Sequence, residues 1–130
     1  MLKTGILNPR INALLSRVRH TNTLVIADRG FPFWPQIETV DLALVDGIPA
    51  VLDVVTALRP NFGIGQAWMA EEFLRENSPA TQERFRAALA GVPLLFEPHE
   101  AVFKKRVPNA VGLIRTADTI QYANVILESA

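Results

Sequence analysis

The stretch "TLVIAD", residues 23–28, decides the fold. Leu24, Val25, Ile26 and Ala27 follow one another without a polar break, and an acid ends the run. A strand with one wet face alternates apolar and polar residues, whereas a strand covered on both faces has no polar position to spare. Residues 23–28 therefore read as a buried strand of a parallel sheet. The following "RGFPFWPQ" is punctuated by Gly30, Pro32 and Pro35 and reads as a loop. Asp28 stands where strand gives way to loop. In open parallel sheets ligands bind outside the carboxyl ends of the strands. Asp28 thus has two readings, a cap for the turn before Gly30 or a polar group offered to a ligand.

Upstream, "NPRINALLSRVRH" opens with an Asn cap and Pro at the first helical position. Ile11, Leu14, Leu15 and Val18 recur at helical spacing, which predicts an amphipathic helix over 9–19. Downstream, residues 39–47 ("TVDLALVDG") read as a second short strand and 48–60 as a helix carrying Val51, Val54, Val55 and Leu58 on one face. Residues 63–73 are ambiguous between strand and helix. The clearest helix is 78–91, with a Ser cap, Pro after it and a terminal Gly. A strand over 92–98 and a short basic helix over 99–107 follow. Residues 110–117 and 122–129 read as two final strands joined by a tight polar turn. Alternating strands and helices closed by two successive strands imply α/β, with a mostly parallel sheet and one antiparallel strand near the C-terminus.

Composition narrows the function classes. The 130 residues suit one domain, 1–130. Thirteen basic and 13 acidic residues balance to zero, so nothing recruits a polyanion and nucleic acid is set aside. The absence of cysteine excludes disulfides, thiolate metal sites and cysteine nucleophiles, and suits a reducing compartment. Apolar runs such as 24–27 and 111–114 are far shorter than the ~20 residues of a membrane span. The expectation is a cytoplasmic chain with no membrane partner. A hydrophobic content of 49% fits a sheet covered on both faces, a subunit interface, or both.

Enzyme signatures with fixed spacing are absent. The segment "NFGIGQAW" has no lysine after its Gly-x-Gly, no Gly-x-Ser-x-Gly occurs, and the two histidines, 20 and 99, are too far apart to pair as metal ligands by spacing. What remains is a polar set: His20, Asp28, His99, Tyr122 and Asn124. It suits holding a polyhydroxylated molecule and moving protons. Blander readings stand beside it. His20 follows a helix end, where an imidazolium is favoured by the dipole. His99 opens a turn, and Tyr122 is a half-buried strand residue with a wet hydroxyl. Asn124 is placed on the face of Tyr122 by the two-residue strand period. Lys104 and Lys105 are solvated charges by default, and Trp34 and Trp68 are core. His20 precedes the first strand and Asp28 follows it, so the two need not meet within one chain. A site shared by neighbouring subunits would join opposite sheet edges.

Over nearly its whole length the chain resembles the ribose pyranase/fucose mutarotase family (RbsD/FucU), and its ribose-type branch in particular. The likeness runs through "GILNPRINALLSRVRHTNTLVIADRGFP", "VDLALVDGIPAVLDVV", "AEE" at 70–72, "PHE" at 98–100 and "IRTADTIQYANVIL". The resemblance implies a three-layer α/β/α sandwich with a mixed six-stranded sheet. It implies a cytoplasmic isomerase that interconverts pyranose and furanose forms, or anomers, of a free monosaccharide, ribose-like or a 6-deoxyhexose, with no cofactor and no metal. It implies a homo-oligomer, commonly a decamer, with sites at subunit contacts. His20 matches the family's general acid. Asp28 and His99 match sugar contacts, and Tyr122, Ala123 and Asn124 match the "YAN" segment that holds the sugar. Lys104 or Lys105 matches a family lysine, with one extra residue leaving the register between them open. A non-catalytic sugar-binding component of a transport or regulatory system is the alternative function. Departures from the family pattern are Asn22 for aspartate, Arg29 beside Asp28, the bulky Phe31, Phe33 and Trp34, and Asp118 where Gly-Glu is usual. Arg29 is expected to pair with a nearby acid such as Glu38 rather than to receive an acidic sugar.

Overall fold

The computed structural model describes residues 1–130. Helix α1 (Pro9–Arg17) starts as its sequence dictates: the Asn8 side chain accepts the N–H groups of Arg10 and Ile11, and Pro9 needs no partner. Strand β1 (Thr23–Ala27) then enters a six-stranded sheet with β2 (Glu38–Asp41), β3 (Ile64–Ala70), β4 (Leu94–Glu97), β5 (Gly112–Arg115) and β6 (Val125–Ser129). The order across the sheet is β2-β5-β1-β6-β3-β4. All neighbours are parallel except β6, which runs antiparallel to both β1 and β3.

Both faces of the sheet are covered, which is why the strands carry unbroken apolar runs. Leu24 and Ile26 of β1 join the larger core with Leu14 of α1, Val51, Val55 and Leu58 of α2 (Val51–Leu58) and Phe85 of α4 (Pro79–Ala88). Their neighbours Val25 and Ala27 point the other way, into a smaller core with Phe31, Trp68, Phe103 and Val107. Successive residues of β6 divide likewise, Val125 and Leu127 to one side and Ile126 to the other. At Gly112 a Cβ would stand 2.5 Å from Leu14 Cδ1, so the glycine lets α1 lie close on β5.

Three sequence expectations change. The ambiguous 63–73 resolves into β3 followed by the short helix α3 (Glu72–Glu76), so both readings held part of it. The second strand is only Glu38–Asp41, and residues 42–50 form a loop with an isolated bridge between Val45 and Ile48. Residues 110–117 and 122–129 do not make adjacent strands joined by a tight turn. β1 lies between β5 and β6, and the nine residues linking them cross the sheet edge. Thr116 and Asp118 in this link are buried, held by hydrogen bonds that a surface turn would not need. The basic segment after β4 opens with a π turn at His99–Phe103 and passes through α5 (Lys104–Arg106) into a 3₁₀ turn.

Candidate functional site

The antiparallel direction of β6 gathers the polar set. Asp28 follows the carboxyl end of β1, Glu72 follows β3 and His99 follows β4. Because β6 runs the opposite way, Tyr122 and Asn124, which precede it, arrive at that same edge. A cleft of about 430 Å³ opens there, within the roughly 300–1,000 Å³ of small-molecule sites. Asp28, His99, Lys104, Gln121, Tyr122 and Asn124 supply its polar wall, and Phe31 an apolar one.

Asp28 caps its turn and also lines the cleft. Oδ1 accepts the Gly30 N–H at 2.9 Å, which caps the turn, and Oδ2 accepts Asn124 Nδ2 at 3.1 Å. The Asp28 N–H in turn donates to Asn124 Oδ1 at 2.8 Å. The two residues are thus locked by a reciprocal pair of bonds 96 positions apart in sequence. Burial pushes the Asp28 carboxyl above the ordinary carboxylate range, partly offset by its hydrogen bonds from Gly30, Asn124 and Phe31, while Asp118 adds to the rise.

His99 is buried among rings. Tyr122 meets it edge-on at 5.1 Å between centroids, Phe103 stacks at 5.7 Å and Phe31 lies edge-on at 6.1 Å. Its backbone N–H donates to both carboxylate oxygens of Glu72, at 3.2 and 3.1 Å, which fixes the start of the π turn. Nδ1 of His99 is buried with no hydrogen-bond partner in the protein. Such an atom inside a polar cleft is a ready contact for a ligand hydroxyl. Burial lowers the His99 pKa, Lys104 lowers it further, and Glu100, Glu72 and Asp28 act against them. The neutral imidazole keeps one donor and one acceptor.

Tyr122 and Asn124 converge, but not because a strand alternates. Both lie before β6, and Tyr122 sits at φ +56° in the left-handed region. The preceding carbonyl, of Gln121, accepts Asn77 Nδ2 at 2.8 Å, pinning the turn that aims the phenol. Ala123 is fully buried in the larger core and does not line the cleft. Of the two lysines, Lys104 lines the cleft, its Nζ 2.6 Å from Glu100 Oε1. Trp34 and Trp68 both pack in the smaller core, and the Arg106 guanidinium covers the Trp68 ring at 4.4 Å. Gln121 and Glu72 escaped sequence reasoning. Only the "AEE" segment, read for its family likeness, contained a signal for Glu72.

His20 is elsewhere. It is exposed at the entrance of β1, and the five residues of that strand put roughly 17 Å between it and Asp28. Arg29 pairs with Asp46 at 2.6 Å and not with Glu38, which Arg17 takes instead. The reason is local: the loop that brings Asp46 closes over Ala117, whose carbonyl accepts the Gly47 N–H, next to the Asp118 carbonyl that accepts the Arg29 N–H. Asp118 caps α2 from a distance, Oδ2 accepting the Val51 N–H at 2.8 Å, and does not line the cleft. No group of histidine, cysteine, aspartate and glutamate is clustered to hold a metal ion, and no helix is long and apolar enough to cross a membrane.

Comparison with known proteins follows the same lines. A model of the RbsD / FucU transport protein family matches residues 1–130. The chain is 42% identical over 129 residues to a D-ribose pyranase of Geobacillus kaustophilus, covering 99% of this chain and 93% of that protein. It is 42% identical over 130 residues to a D-ribose pyranase of Chromobacterium violaceum, covering 99% and 97%. Among solved structures, Bacillus subtilis RbsD complexed with D-ribose aligns over 100% of this chain and 98% of its own, with a TM-score of 0.92 at 30% identity. The fucose mutarotase of Streptococcus pneumoniae, in complex with L-fucose, shares the fold at a TM-score of 0.83 and 18% identity.

Proposed function

The chain belongs to the RbsD/FucU family, and on that footing we propose that it interconverts ring or anomeric forms of a free monosaccharide by general acid/base ring opening. D-ribose, the sugar named by its relatives, is the first substrate to test. The observation that carries this reading is the cleft itself: a desolvated carboxylate, a neutral imidazole, a phenol and an amide face one space of sugar size.

Ring opening breaks the bond between C1 and the ring oxygen. The anomeric hydroxyl gives up a proton as the carbonyl forms, and the ring oxygen gains one. Reclosure through a different hydroxyl changes ring size, and reclosure on the other carbonyl face changes the anomer. Burial disfavours the charged form of both Asp28 and His99, which suits groups that exchange protons with a bound sugar. Asn124 and Tyr122 orient hydroxyls. General acid/base transfer supplies about 10²–10⁴-fold, sufficient for a reaction that already runs unaided in water. In this reading the whole chain, 1–130, acts as one unit in the cytoplasm and needs no cofactor.

We assign the acid to His20 of a neighbouring copy in a homo-oligomer, a decamer by family likeness. Support comes from His20's own exposure and from large apolar side chains left open to solvent, Phe33, Leu44, Val45, Ile48 and Leu95 among them. The test is saturation-transfer NMR on D-ribose. Wild type speeds exchange between ring forms; His20→Ala loses that acceleration and still binds the sugar, seen as a ligand-induced rise in Tm. A sugar-binding component without catalysis gives the rise in Tm with exchange at the buffer rate.

A further inference from the structure

The loop carrying the cleft's carboxylate has an unusual shortage of backbone partners. Residues 28–32 turn away from the sheet, and the carbonyl oxygens of Asp28, Arg29, Phe31 and Pro32 accept no backbone N–H. Pro32 has no N–H, and the Gly30 N–H is taken by the Asp28 side chain, so these part-buried and exposed carbonyls are left to a side-chain donor. One side chain supplies all four. Arg115, the last residue of β5, donates from Nη1 to Phe31 O at 2.6 Å and, more weakly, to Asp28 O and Arg29 O, both at 3.4 Å; Nη2 reaches Pro32 O at 3.3 Å. The Arg115 side chain is 12% exposed, and its nearest acid, Asp41, stands 4.0 Å from Nε. It does not line the cleft.

We propose that Arg115 is a positioning residue for ring-form interconversion: its guanidinium fork gathers the four carbonyls of the 28–32 turn and so sets the place of the Asp28 carboxylate and the Phe31 wall.

The rest of the frame is rigid around it. The next residue, Thr116, donates through Oγ1 to Ala27 O at 2.8 Å, and Arg29 N–H donates to Asp118 O at 3.1 Å. Segment 115–118 therefore holds the turn from one side, and Asn124 holds Asp28 from the other. Lysine cannot substitute, because an ammonium is a point donor and lacks the planar fork that spans several oxygens. The remaining sugar-facing groups, His99, Lys104, Tyr122 and Asn124, lie on other elements. Loosening the turn displaces the carboxylate while leaving most ground-state contacts in place, so the loss falls on kcat more than on KM. A displacement of about 1 Å costs up to ~10²-fold in rate.

This inference rests on the ring-opening reading, and its test separates the two. Exchange of D-ribose forms is measured for wild type, Arg115→Ala, Arg115→Lys and Leu89→Ala, the last a core truncation under α4 remote from the cleft. If wild type does not accelerate exchange, the ring-opening reading fails first. Given an active wild type, both Arg115 variants are expected to lose roughly 10- to 100-fold in kcat with KM changed less than about threefold, while Leu89→Ala, assayed well below its Tm, keeps wild-type kcat. If Arg115→Ala does not fold, Arg115→Lys carries the same test alone. An Arg115 variant that folds and turns over like wild type overturns the proposal, as does a Leu89→Ala loss equal to that of the Arg115 variants.

Discussion

Asp28 has two oxygens and commits both, one to its own turn and one to Asn124. Asn124→Ala leaves the Asp28 N–H and carboxylate each short of a partner in a largely buried place. The expected cost is about 1–3 kcal/mol, read as a lower urea midpoint at unchanged m-value, together with loss of sugar exchange. His99 gives a pH signature. Its folded pKa lies below the ordinary ~6.5 because burial, then Lys104, disfavours the imidazolium. Between the two values the unfolded chain binds more protons than the folded one, so stability rises with pH. Stability is therefore lost as pH falls from about 6.5 through the folded value. Asp28, with a raised pKa, slopes the other way above its unfolded value, so the His99 contribution is isolated by difference. His99→Gln is expected to remove the loss, compared by urea midpoints from about pH 7 to about pH 5. A variant curve parallel to wild type contradicts it.

At the scale of elements, the helix starts and the buried strands were legible because they rest on local physics. Asn8-Pro9 and Ser78-Pro79 cap α1 and α4 as their sequences say. The run 24–27 lost its polar alternation because both sheet faces are covered. The start of α2 was only partly legible in the same way: Asp53 accepts the Ala50 N–H locally, but Ala50 has no capping side chain and the Val51 N–H is capped by Asp118, 67 positions away. Asp118→Ala is expected to cost about 1–2 kcal/mol and to remove hydrogen-exchange protection at the Val51 amide. The placement of β1 between β5 and β6 was hidden for a related reason. Both ends of the link 116–124 are buried and stabilised by long-range bonds from Thr116, Asp118 and Asn124, and only its tip at Thr119 and Gln121 is the surface turn that its polar residues suggest locally. Strand alternation pairs Tyr122 with Asn124 in the sequence, whereas both precede β6 and Tyr122 takes a left-handed backbone conformation.

For the whole molecule, the sheet order explains which candidates meet. One antiparallel strand carries its entrance to the edge where β1, β3 and β4 end, so three segments distant in sequence, 28–32, 99–104 and 121–124, share one cleft. His20 is the exception that a single chain cannot absorb. It belongs to the opposite edge, and its assigned role requires a second copy of the chain to bring that edge to the cleft. The order of residues already puts His20 and Asp28 at opposite ends of one strand; what it does not show is which other segments reach the Asp28 end.

The central claim, that His20 of one copy works on a sugar held by Asp28 of another, has a direct test. Asp28→Asn and His20→Ala are prepared as separate inactive proteins and then co-assembled, and D-ribose exchange is followed by saturation-transfer NMR. Mixed assemblies are expected to regain part of the wild-type acceleration, because some clefts then pair an intact histidine with an intact carboxylate. Exchange that stays at the buffer rate in verified mixed assemblies, beside an active wild type, contradicts the account.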